Sequence, residues 1–214
     1  MITLLILLIL FIGAYSGYKN GIILQLIKTI GYVVVLIFAF DYYIPISEYL
    51  YLLVPYPTPF FPESNPYAFY DESLLLTLDL SYYYLVSFLL ILLIGWLIVR
   101  FLTQLVSYTI EQFRAPEPLS GIGGAVLGFI VNYVGVFYLL LLLSLIPFDF
   151  VQNRLTDSFV ADNILTSTPE LTERNYQRFI LDAHETALEN RPTMNIESPA
   201  DEGSEEETTE GNEE

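Results

Sequence analysis

The 214-residue chain contains no cysteine, one histidine and only eight lysines and arginines. Without cysteine it forms no disulfide, thiolate nucleophile or cysteine-ligated zinc site. Without clustered basic side chains it lacks the means to bind a phosphate backbone, so we expect no nucleic-acid partner. The single histidine, His184, is flanked by Asp182 and Glu185 on an expected helix near the C-terminus, which is typical of a surface residue.

Catalytic constellations are also missing from the sequence. No Ser–His–Asp ordering and no glycine-rich phosphate loop stands out. Asp41 and the pair Asp71–Glu72 have the chemistry to hold a cation, but solvated loop carboxylates account for them equally well. We therefore expect no enzymatic activity, no cofactor and no metal site.

Apolar residues are what the chain has in abundance. They make up 54% of it, while charged residues make up 15%, against roughly 25% in a soluble domain. A bilayer core of about 30 Å needs about 20 helical residues, and four apolar runs approach or exceed that length. The predicted fold is an all-α membrane protein whose domain, residues 1–147, has four transmembrane helices at about 1–18, 22–40, 82–99 and 122–146.

The first apolar run has two interpretations. Ala14-Tyr15-Ser16 resembles the small-residue site at which a signal peptide is cleaved. However, no positive charge precedes the run and Lys19 follows it, so a retained helix is favoured over a cleaved signal. The turn dipeptide Asn20-Gly21 then predicts a tight antiparallel hairpin between the first two helices.

Residues 41–81 form a long connection with six acidic residues and no lysine or arginine. Its prolines, of which Pro45 is the first, argue against one continuous helix. Its many tyrosines and phenylalanines favour the headgroup region. The helical spacing of Ile46, Tyr49, Leu50 and Leu53 predicts a short interfacial helix.

The chain becomes polar after Pro147. Residues 148–189 are predicted to form amphipathic helices, one with Val151, Leu155 and Phe159 on its apolar face. A second is expected to begin at Ser167-Thr168-Pro169-Glu170, which has the composition of a helix start. Residues 190–214 contain nine acidic residues and one arginine, which predicts a disordered acidic tail.

The distribution of basic residues predicts the orientation of the chain. Lys19 and Lys28 adjoin the first hairpin, and Arg100 and Arg114 lie in the third-to-fourth connection. Since cytoplasmic loops carry the excess of lysine and arginine, residues 41–81 and both termini should be extracytoplasmic. The two arginines are interpreted as topological anchors, with binding of lipid phosphates as the alternative.

Glycines recur at four-residue spacing in two predicted spans, a spacing that lets helix backbones approach closely in lipid. We interpret them as helix-packing residues within one chain, with a homo-oligomer interface or a narrow path as the alternative. They are Gly13, Gly17 and Gly21 in the first span and Gly121, Gly124, Gly128 and Gly135 in the last.

Four polar residues in the spans are candidates for a polar path, because polar groups in lipid are costly and often functional. Gln25, Lys28 and Tyr32 share one face of the second span. Lys28 is near enough to the span end for its stem to snorkel to the headgroups, which is the simpler interpretation. Asn132 lies deeper, where an interhelical hydrogen bond is simplest.

Two motifs resemble those of the colicin V production protein family (CvpA-like). Residues 13–21, GAYSGYKNG, followed by Gln25, resemble the turn after the short first helix of that family. Residues 120–128, SGIGGAVLG, resemble its glycine-rich entry to the fourth helix. The resemblance covers about residues 1–165 and includes the four spans and the long second connection.

The resemblance implies a multi-pass bacterial inner-membrane protein needed for peptide toxin production or export and linked to envelope homeostasis. Some relatives carry an extracytoplasmic protease domain, which the acidic tail here does not match. We expect a non-enzymatic scaffold that contacts the lipid bilayer and a secretion or envelope protein. The alternative is an oligomeric channel or transporter subunit for a small solute or ion.

Overall fold

The computed structural model describes residues 2–57, 65–75, 77–110, 119–168 and 170–189, with the backbone alone for 106–110. These residues contain helices and irregular segments and no strand. Three helices are long and apolar enough to cross a membrane, in agreement with the all-α membrane prediction. They are α1 (Ile2–Leu53), α2 (Leu78–Ile110) and α3 (Leu119–Ser144). Arg114 and the acidic tail, residues 190–214, lie outside the described residues.

Helix α1 contains the first two predicted spans and is broken at Gly21. The backbone of Gly21 has φ 72° and ψ 168°, a conformation outside the helical region and one that side chains disfavour. The break divides α1 into arm one (2–20) and arm two (22–53). The described residues therefore contain three long helices rather than the four expected. The turn at Gly21 is so short that arm one and arm two count as one helix.

The two arms run in opposite directions along α3. Arm one is antiparallel to α3, since Gly17 packs against Gly124 and Gly13 against Gly128. Arm two starts beside the beginning of α3, where the Ile22 amide donates a 3.2 Å hydrogen bond to Ser120 Oγ. Further along, arm two faces the second half of α3. The Asn20-Gly21 turn is thus the tip of a helical hairpin.

Arm two and α2 extend well beyond the predicted spans. Arm two continues through Pro45 to Leu53, so the prediction that residues 46–53 form a separate interfacial helix is wrong. Proline removes one backbone hydrogen bond, but the helix continues on both sides of Pro45. Beside it, Ser47 Oγ donates a 2.6 Å hydrogen bond to the Ile44 carbonyl. Helix α2 begins at Leu78, after a short 3-10 helix at Glu72–Leu74, and continues past the predicted end at 99.

Short helices after α3 form a layer that we call the cap. It contains α4 (Asp149–Thr156), α5 (Phe159–Ser167), α6 (Leu171–Tyr176), a π-helical turn (Gln177–Leu181) and α7 (Asp182–Glu189). Amphipathic helices were predicted here, but the prediction that Phe159 shares an apolar face with Val151 and Leu155 is wrong. Helix α4 ends at Thr156, and Ser158 caps α5 by accepting a hydrogen bond from the Ala161 amide. Phe159, the first residue of α5, is 78% exposed. Helix α5 ends at Ser167, and α6 begins at Leu171, directly after the last residue of the predicted helix start, Glu170.

Phe179 fixes the cap to the long helices. It comes from the π-helical turn, is fully buried and lies against Tyr43, Phe88 and Tyr138 with ring centroids 5.2, 5.1 and 6.4 Å away. Phe40 contacts the same ring at 6.4 Å. One cap residue thus joins arm two, α2 and α3.

Polar contacts place the start of arm one, the start of α2 and the cap at the same end of the bundle. Thr3 Oγ1 lies 2.8 Å from Ser158 Oγ, and Thr77 Oγ1 lies 2.7 Å from His184 Nδ1. The prediction that His184 is a free surface residue is therefore wrong, since it is half-buried and holds α7 to the start of α2. We call this the cap end, and the opposite end, with Gly21 and Arg100, the turn end.

Candidate functional site

A glycine seam joins arm one to α3. A Cβ on Gly17 would overlap the carbonyl of Gly124, and a Cβ on Gly128 would overlap the carbonyl of Gly13. The two backbones are thus in direct contact, as small residues permit between helices in lipid. Two more of the glycines continue the seam at the turn end, where Gly21 meets Ser120 and Gly121 meets the Tyr18 ring.

Gly135 lies apart from this seam. A Cβ at Gly135 would meet no atom within 4 Å, so the residue faces open space. It lines a cleft on another side of α3. The structure thus brings six of the seven glycines together and leaves the seventh beside a cavity.

Two of the four candidate path residues are hydrogen-bonded, Gln25 beside the turn and Asn132 at the seam. Gln25 is 5% exposed and accepts a 3.2 Å bond from Asn20 Nδ2. Asn132 donates from Nδ2 to the Gly128 carbonyl at 2.8 Å and packs against Gly13. Their placement fits a structural role, since a buried polar group needs a partner.

Of the other two candidates, Tyr32 lines a cleft that Gly135 also borders, and Lys28 precedes it by one helical turn on arm two, toward the turn end. The cleft lies between arm two, α2 and α3, is open on one side and has a volume of about 360 Å³. Its lining is almost entirely apolar and comprises Thr29, Tyr32, Val33, Val35, Leu36, Leu89, Leu92, Leu93, Trp96, Ile130, Val131, Val134, Gly135 and Tyr138.

Arm two and α2 bring two cations together beside this cleft. Gly31 packs against Val99, and Gly95 against Val35, which fixes an antiparallel register. That register brings Lys28 and Arg100 to nearly the same level, close enough for their charges to repel. The Arg100 guanidinium lies 5.2 Å from the centre of the Trp96 ring.

Trp96 was not among the sequence-based candidates. The signal that points to it is its position four residues before Arg100, which puts both side chains on one helix face. The pairing with Lys28 needs the register of arm two against α2, which the sequence alone does not supply.

A separate polar cluster joins the 65–75 segment, the end of α3 and the cap. The Tyr70 hydroxyl lies 2.7 Å from Ser144 Oγ, and Gln152 Nε2 donates to the carbonyls of Ser144 and Ile146 at 3.0 and 2.8 Å. Burial raises the pKa of Tyr70, and the hydrogen bond to Ser144 partly offsets that rise. In the part of the chain that the structure describes, no group of three acidic or histidine side chains is placed to hold a metal ion.

Comparison with known proteins assigns the family. The family model described as colicin V production protein matches residues 2–169. An uncharacterized transmembrane protein of Bacillus subtilis strain 168, YshB, is 28% identical over 173 residues, which are 80% of this chain and 93% of that protein. No solved structure matches. The glycine-bearing arm one and α3 both lie within the matched region, and the chain belongs to the colicin V production protein family.

Proposed function

We propose that the chain crosses a bacterial inner membrane four times, through arm one, arm two, α2 and α3. Arm one is about 28 Å long at 1.5 Å per residue, close to the thickness of the hydrocarbon core. Arm two, at about 48 Å, is long enough to cross the core and reach into the cap. The hairpin at Gly21 supports separate crossings by the two arms.

In this arrangement the cap end faces outward and the turn end faces the cytoplasm. Described acidic residues of the loops and cap gather at the cap end, whereas Lys19, Lys28 and Arg100 lie toward the turn end. The excess of basic over acidic side chains at the turn end supports a cytoplasmic location. Both termini are then extracytoplasmic.

For its role, we propose a non-enzymatic scaffold that supports peptide toxin production or export, or envelope homeostasis. The family match is the observation that carries this proposal. The cap adds a surface suited to a partner, because Phe150 and Phe159 are 70% and 78% exposed there. Exposed aromatic residues are enriched where proteins bind one another.

A channel within one chain is less well supported. Asn132 is hydrogen-bonded at the seam and Gln25 beside the turn, and only Tyr32 of the four candidates lines the cleft. A conducting path needs polar groups or water along its length. The cleft that continues from Tyr32 is lined by aliphatic and aromatic side chains.

A paired experiment tests the scaffold role. A deletion strain should lose toxin export or tolerance of envelope stress, and the wild-type gene should restore it. A photo-crosslinking residue at Phe159 should capture a secretion or envelope protein, while one at lipid-facing Leu8 should not. Purified protein in liposomes should show no solute or ion flux. If the protein does conduct a solute or ion, and Lys28→Leu or Asn132→Leu abolishes that flux, the scaffold proposal would be wrong and the channel would be favoured.

A further inference from the structure

The cleft has a gradient of chemistry along its length. The cations Lys28 and Arg100 lie just outside the lining, toward the turn end, and one helical turn deeper the rings of Tyr32 and Trp96 line the cleft. Beyond the rings, the lining is aliphatic, as at Leu36. A cationic end, an aromatic belt and an apolar interior reproduce the order of headgroup, interface and acyl chain in a membrane.

The two cations lack an acidic neighbour in the described residues. The one ion pair found there is Arg174–Glu170, in the cap, and no described carboxylate lies within ion-pair distance of Lys28 or Arg100. Lys28 is partly buried and Arg100 is exposed, and the charge of Arg100 acts on Lys28. Like charges repel one another, and an anion bound by both would relieve that repulsion.

We propose that the cleft binds an anionic phospholipid, with its phosphate at Lys28 and Arg100 and an acyl chain in the apolar cavity. The charge of the paired cations selects an anion, and the attached cavity selects one that carries a hydrocarbon chain. The cavity volume, about 360 Å³, falls within the usual range of small-ligand sites. This site is independent of the scaffold role.

The only tryptophan of the chain, Trp96, reports on the site. The full-length protein is reconstituted in neutral vesicles that contain increasing fractions of phosphatidylglycerol or phosphatidylcholine with brominated acyl chains, which quench tryptophan. Brominated phosphatidylglycerol should reach half-maximal quenching at a lower fraction, by about fivefold for each cation that contributes. Equal quenching by the two lipids would overturn the proposal.

Variants separate the cleft from general surface charge. Lys28→Gln with Arg100→Gln should remove the preference, whereas Lys19→Gln should keep it, because Lys19 is an exposed cation at the turn end outside the cleft. Gly135→Leu, which fills cavity space, should weaken quenching by phosphatidylglycerol. Retained preference in the double variant would overturn the headgroup site, and unchanged quenching in Gly135→Leu would overturn the acyl-chain site. If neither brominated lipid quenches Trp96, the cleft is covered by a second protein copy and the lipid proposal would be wrong.

Discussion

At the scale of single residues, the seam and the cap depend on side-chain size. Glycine at 17 and 124 allows backbone contact between arm one and α3, whereas Phe179 fills the space between the cap and the helices. The glycine spacing was visible in the sequence, and so was a packing role. Which glycine faced a cavity was not visible, because Gly135 continues the same spacing.

Gly17→Ala should destabilise the protein, and Gly135→Ala should not. A Cβ at 17 would overlap the carbonyl of Gly124, and overpacking of this kind costs about 1–3 kcal/mol. At 135 the Cβ meets open space, and alanine is favoured over glycine in a helix by up to about 1 kcal/mol. Thermal unfolding of both variants in the same detergent measures the difference. Equal unfolding temperatures would contradict close packing at the seam.

Phe179→Ala should release the cap from the long helices. Removing a buried phenylalanine costs about 3–5 kcal/mol. Phe159→Ala is the matched control, because the Phe159 side chain is 78% exposed and its loss should change stability little. Limited proteolysis of the cap measures the effect: faster cleavage is expected in Phe179→Ala alone. Cleavage at the wild-type rate would show that the ring does not hold the cap.

At the scale of helices, apolar run length predicted where the long helices lie but not where they end. Arm two and α2 continue past the apolar runs because the cap packs on their ends, as the Tyr43–Phe179 contact shows. Such tertiary contacts override local signals like Pro45. The π-helical turn that presents Phe179 has no sequence signature, so the way the cap attaches was not predictable.

The cap should loosen at alkaline pH. Burial raises the pKa of Tyr70 above its value in the unfolded chain, which is about 10. The stability that buried, protonated Tyr70 contributes is therefore fully present below the pKa of the unfolded tyrosine. It declines as the pH rises further, because the unfolded tyrosine loses its proton first.

Tyr70→Phe tests this pH dependence. The variant loses the hydrogen bond to Ser144, worth about 1 kcal/mol, but its unfolding temperature should fall less steeply above about pH 10. Tyr49→Phe is the control, since the Tyr49 ring is 70% exposed and its variant should keep the wild-type slope. Identical slopes in all three proteins would contradict the assignment to Tyr70.

At the scale of the whole molecule, a cluster of basic residues and an acidic cap occupy opposite ends. The sequence supplied the four apolar runs and the basic residues from which an orientation was predicted. The structure adds the tight turn at Gly21 and the contact between Thr3 and Ser158, which brings the beginning of the chain to the cap. The central claim is four crossings, with both termini on one side of the membrane.

Cysteine labelling in intact cells tests this claim most directly, because the chain has no cysteine of its own. Single cysteines are introduced at Ile2, Lys19 and Phe159 and treated with a membrane-impermeant maleimide. We expect labelling at 2 and 159 in intact cells, and at 19 only after the membrane is permeabilised. Labelling of position 19 from the same side as position 2 would contradict a separate crossing by arm one, and opposite sides for 2 and 159 would contradict four crossings.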